Sequence, residues 1–192
     1  MTRPRILKTD GRNIYLISGI VYSLTLGLPR LETVDYAIIF NVLYKSYFIF
    51  NNNILYFYNG VFWEKQINDS KINNFVVFKM FEKLLLLVNN LSMELLKIQA
   101  NKDNKNSLDS YIDYINDLLK NLRKIKDGTV KKKVLEEIKL YIVNNDVQFD
   151  EHPYLFCFNN KLFDLKQLKF IEPKAEYYIS QTTTYNYEMN YD

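Results

Sequence analysis

Cysteine and histidine are nearly missing from this chain, with Cys157 and His152 standing alone in 192 residues. One cysteine excludes an intramolecular disulfide, and one cysteine with one histidine cannot complete a zinc site within a single chain. A reducing, intracellular setting is therefore the expectation. Glycine is scarce as well. None of Gly11, Gly19, Gly27, Gly60 and Gly128 is followed by Lys-Ser or Lys-Thr, so the chain lacks the phosphate loop of a nucleotide-driven motor. No Asp-x-Asp strand motif offers the clustered carboxylates of two-metal chemistry, and Asp109 and Asp113, one helical turn apart, read as a solvated helix face. Long apolar runs are missing too. Ile14 to Leu28 follows Arg3, Arg5, Lys8 and Arg12 as the core of a signal peptide would, but Ser18, Ser23 and Thr25 interrupt it and no small-x-small cleavage site closes it. It is also shorter than the roughly 20 residues that span a bilayer as a helix. Buried protein is the reading taken, with a membrane anchor as the remote alternative.

What the chain does hold is apolar and aromatic mass: 48% of its residues are hydrophobic and 16% aromatic, too rich a mixture for a disordered tail. The balance of 25 basic and 22 acidic residues leaves only +3, so any basic surface that matters must be local. The abundance of Asn, Lys, Ile and Tyr points to AT-rich coding, which discounts lysine counts as a sign of selected charge.

Along the chain, Ile14–Ile17 and Ile20–Leu26 are β-rich runs split by Ser18-Gly19, so residues 1–30 read as an N-terminal segment with a hairpin. Thr33 is placed to cap a helix with Val34, Ala37, Ile38, Val42 and Tyr44 as its apolar stripe. Strands are expected at Tyr47–Phe50, Ile54–Tyr58 and Val61–Trp63, the last two joined by Asn59-Gly60. Asp69 or Ser70 opens a long helix to about Gln99 that is apolar nearly all round from Phe75 to Val88. A polar loop precedes a second helix, capped by Ser107, whose face comprises Leu108, Tyr111, Ile112, Ile115, Leu118, Leu119, Leu122 and Ile125. Gly128 closes it. Thr129 caps a third, running to about Asn144, with Val134, Leu135, Ile138, Tyr141 and Ile142 inward. Tyr154–Phe158 and Leu162–Leu165 read as a hairpin, and Tyr177–Tyr187 as a last strand. The fold class is α+β: a helical central bundle flanked by an N-terminal aromatic β-meander and a C-terminal β-hairpin.

Leu155-Phe-Cys-Phe-Asn-Asn-Lys-Leu-Phe-Asp-Leu165 resembles the signature of the pre-helicase domain found in primase–helicases of poxviruses, giant viruses, phages and plasmids. That family has a strand, an Asn-Gly-x-x-Asp-Leu turn, a short second strand and a Tyr-Ile-Ser/Thr segment. Asn160, Asp164, Leu165 and Tyr178-Ile179-Ser180 occupy those places, and Tyr56 to Glu64, including Trp63, resembles the family's upstream hairpin. The likeness covers about residues 34–190 and makes 31–192 the pre-helicase domain. One position departs: Lys161 stands where the family has glycine, so either the turn differs or Asn160 alone takes the left-handed conformation. The resemblance implies a non-catalytic domain preceding the ATPase of a DNA-replication helicase. The resemblance further implies a contribution to hexamer assembly and DNA engagement at viral replication sites in host cytoplasm or nucleus. It also implies that ATP and Mg belong to a motor beyond Asp192, with no cofactor in this stretch and with DNA, other copies and replication proteins as partners.

For DNA contact the candidates are Lys131, Lys132 and Lys133, three cations expected in the first turn of a helix where they oppose its dipole, together with Arg123 and Lys124. Lys120 and Lys126 flank them. Phosphate contact and a plain solvated corner both remain open. Tyr56, Tyr58 and Phe62 offer rings to single-stranded bases, against the commoner use of such residues in packing; Trp63 is assigned to the core. Cys157 and His152 are read as structural. The rival to DNA engagement is a protein-interaction module that uses the apolar Phe75–Val88 face.

Overall fold

The computed structural model describes residues 31–99 and 105–188, which form an α+β fold of two compact units. The expected hairpin at 14–26 lies outside the described residues. Of the described residues, one unit comprises 31–43 and those within Ile72–Tyr141; the other comprises Tyr44–Lys71 and 142–188.

The first unit is helical. Helix α1 spans Thr33–Tyr44. Glu32 takes the cap position expected of Thr33, and its N–H donates to Asp35 Oδ2 at 2.8 Å, the return half of a capping box. Its inward face is rotated from the expected stripe: Tyr36, Ala37, Ile39, Phe40, Leu43 and Tyr44 are buried, while Val34 is exposed and Ile38 and Val42 are half-buried. The helix is apolar all round, so periodicity does not choose a face. The rings of Tyr36, Phe40 and Tyr44 all go inside, and the Tyr36 hydroxyl donates to the Asn121 carbonyl at 2.9 Å.

The long helix runs from Ser70 to Gln99 as α2 (Ser70–Asn74), a π-helical stretch (Phe75–Met80) and α3 (Phe81–Gln99). Asn68 Oδ1 accepts the Ser70 N–H at its start. Phe75 and Met80, five apart, are both buried, a spacing that suits the wider π turn; Met80, Leu84 and Val88 then continue the line at four-residue intervals. Phe78, Leu86 and Met93 remain 58%, 62% and 58% exposed on a helix whose sequence asked for cover on several sides.

Helix α4 spans Lys105–Arg123 and buries Leu118 and Leu122, with Ile125 buried in the 3-10 turn Lys124–Lys126 that extends it. Ile112 is exposed, and the side chains of Leu108 and Tyr111 lie outside the described residues. Helix α5 begins at Gly128 and ends at Ile142. Its cap is Asp127, whose Oδ1 accepts the N–H groups of Thr129 (2.9 Å) and Val130 (3.1 Å), so Gly128 opens this helix instead of closing the previous one. Val134, Leu135 and Ile138 point inward as expected, but Tyr141 is exposed.

The second unit holds two antiparallel three-stranded sheets. In the first, β1 (Phe48–Asn51), β2 (Ile54–Tyr58) and β3 (Trp63–Gln66) form a meander. Asn52 and Asn53 take positive φ of 48° and 66° in the tight first turn, a conformation asparagine tolerates well. The second turn is longer than a two-residue Asn-Gly hairpin. Asn59 Oδ1 captures the N–H groups of Val61 (2.8 Å) and Phe62 (3.0 Å), which withdraws both from the ladder and starts β3 at Trp63. Only Gly60, at φ 105°, demands glycine there.

The second sheet is β4 (Leu155–Cys157), β5 (Leu162–Asp164) and β6 (Lys169–Ile171). Strand β6 is an addition to the hairpin expected from the sequence. In register, Phe156, Phe163 and Phe170 stand opposite one another, while Cys157, Leu162 and Ile171 line the other face with Ile179. Tyr177–Tyr187 is not a strand. It starts in a 3-10 turn (Ala175–Tyr177) and then runs alongside by single bonds, with Thr183 N–H donating to the Cys157 carbonyl (3.0 Å) and Asn159 N–H to that of Tyr185 (3.0 Å).

Candidate nucleic-acid interface

The basic stretch sits where α4 ends, passes through its 3-10 turn and enters α5. Between positions 120 and 133 it has seven basic residues and one acidic, Asp127, so it carries +6 while the whole chain carries +3. Lys120, Arg123, Lys124, Lys132 and Lys133 are exposed; Lys131 is half-buried. Lys126 is exposed too, but its ammonium lies 4.0 Å over the Phe81 ring, which directs it to an intramolecular contact. Because α5 starts at Gly128, Lys131 is its fourth residue and the lysine run begins at the end of the first turn, behind the Asp127 carboxylate. The conflict with the helix dipole expected from sequence is correspondingly smaller.

The motif residues of the β unit converge on the segment at 175–187. Trp63 is 2% exposed; its indole N–H donates to the Ala175 carbonyl at 2.8 Å, and its backbone N–H to that of Ile179 at 2.7 Å. Rings of Tyr58, Phe149 and Tyr178 surround it at 5.3 to 6.3 Å between centroids. Asn160 acts as a surrogate strand, its side chain donating to the Tyr187 carbonyl (3.1 Å) and accepting the Tyr187 N–H (2.9 Å). Neither Asn160 nor Lys161 takes positive φ, so the turn itself differs from one built on glycine, and the Phe158 N–H closes it on the Lys161 carbonyl at 2.9 Å.

Asp164 is buried and organises the turn from β5 to β6: Oδ1 accepts the N–H groups of Lys166 (2.8 Å) and Gln167 (3.1 Å), and Oδ2 the side-chain amide of Gln167 (2.8 Å). Desolvation alone would raise its pKa, but these donors and the Lys166 charge outweigh it and hold the carboxyl below its ordinary value. Sequence reasoning missed Asp150. At φ 63° it accepts the Ser180 N–H (2.7 Å), the Ser180 hydroxyl (2.6 Å) and the Gln181 N–H (3.1 Å), clamping the Tyr-Ile-Ser motif from 30 positions away. Nothing in the local sequence marks that role.

The other candidates resolve into packing. Tyr56 stacks on Phe149 with centroids 4.2 Å apart, and Phe62 packs against the cluster of Cys157, Leu162 and Ile179. Burial, with a smaller contribution from Asp150, pushes the Cys157 thiol up to about 11, and its S–H meets the Phe158 carbonyl at 3.2 Å, a poor setting for a nucleophile. His152 Nδ1 lies 3.3 Å from the Tyr154 hydroxyl. Asp113 is exposed, while the side chain of Asp109 lies outside the described residues. No glycine leads into Lys-Ser or Lys-Thr, and among the described residues no three His, Cys, Asp or Glu gather to hold a metal. Among them, too, no helix is long and apolar enough to cross a membrane.

No curated protein matches the chain. The family described as D5 N terminal like matches residues 37–192, a span that takes in both the Trp63 hairpin and the motif around Asn160 and Asp164. The chain belongs to that family, the N-terminal domain of D5-like primase–helicases.

Proposed function

We propose that this chain is the non-catalytic domain preceding the motor of a D5-like helicase, and that it engages DNA through Arg123, Lys124, Lys131, Lys132 and Lys133. The observation that carries this is the concentration of +6 within residues 120–133 of a chain whose total is +3. Four of the five named side chains are exposed, free of the burial that would assign them to packing. Contacts of this kind are to phosphate and independent of base sequence. The ATP and magnesium chemistry belongs to the motor.

Fluorescence anisotropy with labelled single-stranded and duplex DNA across a salt series tests the reading. Replacing all five residues with glutamine is expected to weaken binding and to flatten the log–log salt slope by about 3.5 to 4.5, at about 0.7 to 0.9 for each phosphate that is no longer neutralised. An unchanged slope would remove the corner from the DNA interface.

A second reading rests on a separate observation. Phe78, Leu86 and Met93 are large, apolar and more than half exposed along one helix, which suits contact with another copy in a ring, a hexamer by family resemblance. Light scattering of Leu86→Glu against the parent chain tests it, since a change in mass confined to the variant is expected.

A further inference from the structure

The β unit contains a cleft of about 500 Å³ that none of the family motifs explains. Its volume falls within the range of small-molecule pockets. Leu155 on β4 and Ile171 on β6, both half-buried, supply apolar lining from the face of the second sheet that also carries Cys157 and Leu162. Tyr154 and Tyr177 add two half-buried rings, linked through His152, whose ring lies 5.6 Å from the first and 6.0 Å from the second. Lys166 and Lys174 are exposed cations of the same lining, with Nζ at 3.6 Å over Tyr154 and at 6.0 Å from the centre of Tyr177.

The acidic groups of the lining divide into two kinds. Asp164 already accepts three N–H donors from Lys166 and Gln167, so its charge is spent on the turn that carries Lys166. Glu172 is exposed and its carboxylate is available to a hydroxyl. Aromatic faces, two flexible cations and one hydroxyl acceptor around a half-apolar hollow match one ligand chemistry: a planar base, a phosphate and a sugar hydroxyl.

We propose that this cleft binds a nucleoside phosphate, with the base on Tyr154 and Tyr177, the phosphate on Lys166 and Lys174, and a sugar hydroxyl on Glu172. The site lies in the β unit and does not depend on the basic corner of the helical unit. Its ligand is either a free nucleotide or the phosphorylated end of a single strand, which present the same groups. The Lys166 ammonium rests on the Tyr154 face, the surface a base would occupy, so binding moves that cation from ring to phosphate.

Isothermal titration calorimetry of the full chain with dAMP, deoxyadenosine, inorganic phosphate and 5′-phosphorylated (dA)4 tests this. The expected result is saturable binding of dAMP, with deoxyadenosine and inorganic phosphate each about tenfold or more weaker, because the first lacks the phosphate and the second lacks both the base and the sugar hydroxyl. Lys166→Gln with Lys174→Gln, both at exposed positions, should bring dAMP to the affinity of deoxyadenosine. Tyr177→Leu should weaken dAMP and deoxyadenosine alike while leaving inorganic phosphate unchanged. Measured in the chain with Arg123, Lys124, Lys131, Lys132 and Lys133 replaced by glutamine, tighter binding of dAMP than of the tetranucleotide assigns a free nucleotide, and the reverse assigns a strand end. No binding of dAMP at millimolar concentration, or binding indifferent to the lysine pair, overturns the proposal.

Discussion

In the helical unit the contacts that define the fold are apolar: Phe40, Ile72, Val76, Met80, Val134 and Ile138 are essentially inaccessible. In the β unit the defining contacts are side-chain hydrogen bonds to backbone. Asn51 donates to the carbonyls of Asn144 and Val147, both at 2.9 Å, Trp63 to that of Ala175, and Asp150, Asn160 and Asp164 each hold a separate stretch of chain. Short strands of three to five residues explain the difference. They leave many backbone groups without a ladder partner, and buried groups of that kind must be satisfied some other way. Helices satisfy their own, which leaves their side chains to pack.

Substitutions in the β unit sharpen this contrast. Trp63→Ala removes both packing and a hydrogen bond, and the expected cost is about 3 to 5 kcal/mol in urea unfolding. A loss near 1 kcal/mol would mean that the ring contributes little beyond its indole N–H. Asp150→Ala strands two backbone N–H groups and the Ser180 hydroxyl, with an expected loss of about 1 to 3 kcal/mol. Asp150→Asn keeps one acceptor oxygen and tolerates positive φ, so it should recover much of that loss; equal destabilisation by both would show that the clamp depends on charge.

The smallest effect is one of pH. Asp164 has a folded-state pKa below its unfolded value, so its contribution is complete above the ordinary aspartate pKa of about 3.9 and is lost as pH falls through the lower folded value. Urea midpoints compared between pH 5 and pH 3 should fall less steeply for Asp164→Asn than for the parent chain. Parallel slopes would remove Asp164 from the acid dependence.

The same contrast governs what the sequence reveals. Leu118, Leu122, Ile125, Val134 and Ile138 could be assigned inward from spacing alone, because a helix with one apolar face has only one way to bury it. Helix α1 defeated that logic, being apolar on every side, and Tyr141 fell at the margin of its stripe. The cap at Asp127 was legible in principle, as an aspartate before Gly128-Thr129, but Thr129 was the nearer candidate. In the β unit, Trp63, Asn160 and Asp164 were found by family resemblance, and their partners were not. Asp150 reaches Ser180 and Asn160 reaches Tyr187, so no local window contains both ends of either interaction, while β6 lies close to its partner β5 but at three residues is too short to show an alternating pattern. The basic corner was legible because its charges are contiguous; the Tyr154–Tyr177 cleft was not, because its lining is drawn from separated turns.

Trp63 is the only tryptophan in the chain, and it is buried in the β unit among three other aromatic rings. Its emission is therefore a private optical channel for that unit, while far-ultraviolet ellipticity is dominated by the helices of the other. Two spectroscopic traces recorded on one unlabelled sample thus separate the melting of the two units, and their coincidence or divergence measures how far the halves of the chain fold as one.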